Sequence, residues 1–147
     1  MRLTARSEYG LLALVEIASA GGQPSSAREL AERWGMPLKF LEQLLSALKR
    51  AGVVTSTRGA RGGYVLTRPA GEISVLDAVE ALEGPLAPSV CAQEGVGCAQ
   101  SARCAAGTIW SRVSDAVRDV LASATLADLA TDQLRLDALV PAASTKE

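Results

Sequence analysis

Cys91, Cys98 and Cys104 are the only cysteines of the chain, they fall within fourteen residues, and the chain contains no histidine. Thiolates are soft ligands suited to iron–sulfur clusters or zinc, and three this close in sequence can close on one centre. The missing histidine removes the commonest general base, the commonest zinc partner and any imidazole fourth ligand. A fourth ligand must come from elsewhere. Structural zinc sites usually pair cysteines about two to four residues apart, and the spacing Cys91-x6-Cys98-x5-Cys104 offers no such pair. A thiol switch without metal needs only two cysteines and stays open as an alternative. With no histidine, no paired catalytic carboxylates and no phosphate loop followed by Lys-Ser/Thr, an enzyme is discounted.

A second set of side chains points to a polyanion. Lys39, Glu42, Gln43 and Ser46 recur on one face of a helical pattern, joined by Lys49 and Arg50. Glutamate can accept from cytosine N4, and glutamine can pair bidentately with adenine, so these four are candidates for base-edge contact. Arg28 precedes them on a shorter helix. Arg58 and Arg61 stand among glycines, which permit close backbone approach to phosphates or insertion of an arginine into a narrow minor groove.

The elements that must position these residues follow from periodicity. Residues 7–20 place Leu11, Leu12, Leu14, Val15 and Ile17 at helical spacing, and Gly21-Gly22 ends the run. Ser26 with Glu29 three residues on is a capping box for a short helix through Trp34. Gly35-Met36-Pro37 is a tight break. The next helix, 37–51, turns Leu38, Leu41, Leu44, Leu45 and Leu48 inward, and Gly52 caps it. Two β-rich runs, 53–57 and 64–67, flank the hairpin loop 59–63. Ile73, Val75, Leu76, Val79 and Leu82 mark a further helix ended by Gly84-Pro85. After the cysteine loop, a longer helix carries Ile109, Trp110, Val113, Val117, Val120 and Leu121 on one stripe, which suits either a core helix or a dimer crossing. Leu126, Leu129 and Leu134 form a last short element. The expected fold class is mainly α with a small β-hairpin wing, a winged helix-turn-helix plus a long dimerisation helix. Its expected parts are a DNA-binding domain over 1–84, a cysteine loop over 85–107, a dimerisation helix and C-terminal element over 108–139, and a disordered tail over 140–147.

Charge supports the same division. Residues 1–70 hold ten Lys/Arg against five Asp/Glu, whereas 71–147 hold five against eleven. A basic half fits double-stranded DNA, and an acidic half keeps the rest of the molecule off it. The 48% apolar content suffices for a core, but five aromatic residues leave that core to Leu, Val, Ala and Ile. No apolar run reaches the roughly 18 residues that span a bilayer. The start has no signal-peptide shape, and an odd cysteine count argues against a disulfide framework, so a cytoplasmic setting without membrane contact is expected.

The start MRLT, the segment L-x-x-L-E-Q-L-L-S-x-L from Leu38 to Leu48, the wing V-V-x-S-x-R-G-A-R-G-G-Y-x-L from Val53 to Leu66 and the three spaced cysteines together resemble the Rrf-two-type bacterial transcription regulators. The chain is most similar to the branch of that family that carries an iron–sulfur cluster, from Met1 to about Leu139. The resemblance implies a homodimer in which each long helix crosses its partner, with a [2Fe–2S] or [4Fe–4S] cluster near the interface controlling operator binding. In the iron–sulfur assembly regulators of the family a histidine three residues after the last cysteine is the fourth ligand; here that position is Gly107. The nitric-oxide-responsive regulators instead offer a carboxylate near the N-terminus, from the other subunit, and the matching residue is Glu8. Glu94, inside the loop, is its rival. The implied signal is redox state, nitric oxide, or iron and cluster supply. The alternatives are a cluster carrier or electron-transfer protein whose helix-turn-helix is only scaffold, and a thiol-based redox switch without iron–sulfur control of an operator.

Overall fold

The computed structural model describes residues 3–87 and 98–140. Cys91, Glu94 and the expected tail from 141 lie outside them. Among the described residues, six helices and one hairpin follow in the order α1 (Ala5–Ser19), α2 (Ala27–Trp34), α3 (Leu38–Arg50), β1 (Val54–Thr57), β2 (Gly63–Leu66), α4 (Val75–Glu83), α5 (Ala105–Ala122) and α6 (Leu126–Leu139). Single 3-10 turns lie at Ala70–Glu72 and Ser101–Arg103.

Local capping explains most boundaries. The Thr4 side chain accepts from the Arg6 backbone N–H and opens α1 two residues earlier than periodicity predicts. The Ser26/Glu29 capping box forms as expected, with both reciprocal bonds present. Gly35 takes the left-handed conformation (φ 63°) that ends α2, and the Met36 N–H closes the turn on the Ala31 carbonyl at 2.9 Å. Pro37 precedes α3 as its N-cap rather than lying within its first turn. Two further capping boxes, Ser74 with Asp77 and Thr125 with Asp128, start α4 and α6.

The core is leucine-built. Leu41, Leu44, Leu45 and Leu48 of α3 have no exposed surface and meet Ala13, Leu14 and Ile17 of α1, Leu30 and Ala31 of α2, and Leu82 of α4. Each such side chain contributes about 1.5–3 kcal/mol by leaving water. Tyr9 and Phe40 add an edge-to-face contact between α1 and α3, with ring centroids 5.9 Å apart.

The C-terminal half differs from expectation in the length of its last element and in where α5 begins. The last element is a helix of 14 residues, with Leu126 fully buried in the main core and Leu129 against α4. Its start pairs with the start of α4, since Leu126 N–H donates to the Ile73 carbonyl and Val75 N–H to the Ala124 carbonyl, each at 2.9 Å. The α5 stripe, which suited either a core helix or a dimer crossing, is only partly covered within one chain. Val117 and Leu121 pack toward Val75, Val79 and Leu86, but Ile109, Trp110 and Val120 are 47%, 45% and 68% exposed. The helix also begins at Ala105, directly after Cys104, rather than near 108.

Candidate nucleic-acid interface and cysteine site

The outward face of α3 carries Lys39, Glu42, Gln43, Ser46, Lys49 and Arg50, all exposed and directly opposite the buried leucines. At 1.5 Å per residue this stripe runs about 16 Å, long enough to lie along a major groove. No side chain caps α3, and its first turn holds no acid, so the positive end of the helix stays open to an anion. Arg28 is exposed on α2, and with Met36 and Leu38 it lines the shallow groove beside the α2–α3 turn.

The wing is held to this unit at both of its strands. β1 and β2 pair antiparallel from Val54 opposite Leu66 to Thr57 opposite Gly63. On the other edge of β2, Tyr64 and Ser25 exchange backbone hydrogen bonds of 2.8 and 3.0 Å, tying the wing to the segment that caps α2. Gly63 is required at that crossing, because a Cβ there would sit 2.5 Å from the Ser25 carbonyl oxygen. Lys49 Nζ donates to Ser56 Oγ at 2.6 Å and links α3 to β1. Arg58 and Arg61 project from the loop between the strands, fully in the exposed class. All nine residues singled out for DNA are therefore on the surface. The ties through Ser25 and Ser56 are not legible in the sequence: Ser25 belongs to no motif, and Ser56, although part of the wing motif, meets Lys49 only through the packing of α3 on β1.

The candidate metal ligands are less gathered. Cys98 and Cys104 are half-buried free thiols on either side of the Ser101–Arg103 turn, and Cys104 is the N-cap residue of α5. That end of an 18-residue helix favours negative charge. Gly107 lies one turn on, where a Cβ would be 3.9 Å from the Cys104 Cβ, and supplies no ligand. Glu8 is exposed in the first turn of α1, at the mouth of a groove between α1 and α6. Among the described residues of one chain, no three Cys, Asp or Glu side chains come together. Any site joining Glu8 to the cysteines is thus not formed within the described part of a single subunit.

The start of α1 is anchored beside the root of the cysteine loop. Glu83, the last residue of α4, accepts from Thr4 N–H at 3.0 Å, from the Thr4 hydroxyl, and from Ser7 Oγ at 2.7 Å. Burial alone would raise its carboxyl, but these hydrogen bonds outweigh it and hold the group below its ordinary value of 4.5.

A short brace helix, a left-handed glycine turn, a polar-faced second helix and an arginine-bearing hairpin define a winged helix-turn-helix, the architecture of a DNA-binding regulator. The family model described as "Rrf2: Iron-dependent Transcriptional regulator" matches residues 3–132. The chain belongs to the Rrf2 family of DNA-binding transcription regulators, and it is not an enzyme. It is 44% identical over 133 residues to "Protein rrf2" of Nitratidesulfovibrio vulgaris, covering 90% of this chain and 89% of the relative. Among solved structures it is similar to IscR of T. potens, with a TM-score of 0.74 at 32% identity over 97% of this chain and 94% of that one. It is also similar to CymR, the global cysteine regulator of B. subtilis, with a TM-score of 0.73 at 36% identity over 89% and 97% of the two chains.

Proposed function

We propose that the protein is a homodimeric, iron–sulfur-cluster-dependent regulator that binds a near-palindromic operator in the cytoplasm. The observation that carries the DNA reading is the unbroken polar stripe of α3 beside a wing that presents two exposed arginines. In this reading Lys39, Glu42, Gln43 and Ser46 meet base edges, while Arg28, Lys49, Arg50, Arg58 and Arg61 meet phosphate or the minor groove. Two-fold symmetry places half-sites about one helical turn, or a small multiple, apart. Residues 1–84 read DNA, 85–107 hold the cluster, and α5 supplies the dimer contact through its exposed apolar face, which a small aromatic-poor chain gains by covering.

The donor set fits a cluster. Cys98 and Cys104 are soft, unpaired and half-buried, and their turn sits at the positive end of α5. Cys91, Cys98 and Cys104 would hold the cluster, with Glu8 of the partner subunit as the fourth ligand. A bound cluster supplies a centre sensitive to redox state, nitric oxide or iron supply. A carboxylate binds iron less tenaciously than a thiolate, so Glu8 would be the weakest of the four ligands and would leave the centre open to its signal. Since α1 packs directly on α3, a Glu8 bond to the cluster would couple that centre to the placement of the reading helix.

Iron and sulfide counting with absorbance spectroscopy on anaerobically purified protein, followed by DNA binding with and without the cluster, tests this reading. Serine at Cys91, Cys98 or Cys104 should remove most cluster absorbance and leave a folded dimer; a full cluster in Cys98→Ser refutes the three-thiolate site. Glu8→Ala should shorten cluster lifetime under oxygen or nitric oxide, whereas Glu94→Ala should not. The reverse pattern places the fourth ligand in the loop. The second reading is a metal-free thiol switch, favoured by the likeness to a cysteine regulator and by a chain without histidine. It predicts wild-type DNA control in protein free of iron, lost on serine substitution.

A further inference from the structure

One guanidinium joins three helices. Arg33, in the last turn of α2, places Nε 2.7 Å from Glu16 Oε1 of α1 and Nη2 2.9 Å from Asp137 Oδ2 of α6. Gln133 Nε2 donates to the other oxygen of Asp137 at 2.9 Å and fixes that carboxylate. The Glu16 side chain is only 15% exposed, and its Oε1 has no aligned hydrogen-bond donor among the described residues. Its charge is therefore balanced by Arg33, and losing that partner strands a mostly buried carboxylate. The guanidinium also lies 5.7 Å from the Trp34 ring centroid, and Trp34 packs on the core.

Glu16 and Asp137 directly follow Val15 and Leu136, two residues that line the groove between α1 and α6. This groove of about 220 Å³ is lined by Glu8, Leu11, Leu12 and Val15 from α1 and by Leu129 and Leu136 from α6. Glu8 and Glu16 are two turns apart on the same side of α1, about 12 Å. A planar fork can hold both carboxylates only over a narrow range of separations. Any change in the spacing of α1 and α6 must therefore break one arm of the fork or drag α2 with it. The half-exposed Arg33–Asp137 pair (48% and 44%) adds little to stability, as is usual for such pairs. Its importance is geometric, because α2 is the brace against which α3 is set.

We propose that Arg33 is a positioning residue for DNA binding: it transmits the spacing of the α1–α6 groove to α2 and so to α3. This rests on α3 and the wing being the DNA-reading surface, as proposed above. The arginine lies in the basic half of the chain and would otherwise be taken for a phosphate contact.

The test is anisotropy titration, across a range of salt, of a duplex selected from random sequence by the wild-type cluster-loaded protein. Arg33→Ala and Asp137→Asn should each weaken binding about fivefold, and the double variant should be no weaker than either alone. The salt slope should stay that of the wild type. Asp137→Glu, which keeps the carboxylate, should recover most of the affinity. The sign at Asp137 is decisive, because removing a negative charge would strengthen DNA binding if only net charge mattered. Arg61→Ala serves as control and should flatten the salt slope by about one. If Arg33→Ala flattens the slope while Asp137→Asn binds as well as wild type, Arg33 is a phosphate contact and the proposal is wrong. If both bind normally while Arg61→Ala is weakened, the coupling does not exist and the DNA-reading surface stands. If Arg61→Ala also binds normally, the assignment of that surface fails and the coupling falls with it. Should Arg33→Ala fold poorly, the contrast between Asp137→Asn and Asp137→Glu decides alone.

Discussion

Lys49 Nζ donates a 2.6 Å hydrogen bond to Ser56 Oγ, and this contact joins the last turn of α3 to the first strand of the wing. A lysine that reads as a free cation in the sequence is thus also a strut. Lys49→Ala should weaken DNA binding and flatten its salt dependence by about one unit if the ammonium also meets phosphate. Ser56→Ala keeps the charge and removes the strut, so it should lower affinity by about twofold with the salt slope unchanged. Salt titrations of the two variants separate the roles, and identical behaviour would mean that the strut is idle.

The wing should tolerate no side chain at two of its glycines. A Cβ on Gly62 would lie 2.4 Å from the Thr57 carbonyl oxygen, and one on Gly63 would lie 2.5 Å from that of Ser25. Both obstacles are backbone, so the hairpin itself must move. Gly63→Ala should cost about 1–3 kcal/mol in stability, and because it forces the wing off the α2 cap it should weaken DNA binding more than Arg58→Ala does. Denaturant melts and binding isotherms on the same preparations check both effects.

Glu83 predicts a specific acid sensitivity. Its carboxyl is held below 4.5 in the folded protein, so the ionised form stabilises the fold. That contribution is complete above 4.5 and disappears as pH falls through the lower folded value. Glu83→Gln should therefore be less stable than wild type at neutral pH, and the gap should narrow on the acid side of 4.5. Melting temperatures of both proteins across that window provide the measurement; a gap that widens in acid would contradict the assignment.

The long last helix makes a further prediction. Leu126 is fully buried and bonded through its N–H to the Ile73 carbonyl. Leu126→Ala should cost about 2–5 kcal/mol, as much as a substitution in the leucine ridge of α3. Leu134→Ala, at a side chain 62% exposed, should cost far less in the monomeric fold. Urea melts at low protein concentration distinguish the two sites.

Much of the DNA-reading unit is legible in the sequence. The capping box at Ser26 and Glu29 and the left-handed glycine at position 35 depend on interactions within about four residues along the chain, and the leucine ridge of α3 and the glycine-rich hairpin show as spacings and residue types within short segments. Such interactions leave a local pattern of residue types. The three cysteines and the missing histidine are likewise visible as a donor set without any fold.

The tertiary structure decided the relationships among elements distant in sequence. Leu126 and Leu134 have the same residue type, yet one is in the core and the other faces out. The apolar stripe of α5 suited a core helix or a dimer crossing equally, and only packing left Ile109 and Trp110 uncovered while Val117 and Leu121 were covered. The bridge from Arg33 to Asp137 spans 104 positions and the hydrogen bond from Thr4 to Glu83 spans 79. No periodicity encodes such pairings. Their partners are set by how the helices pack once the apolar faces have left water, and polar side chains at the margins then bond with whatever that packing brings within reach.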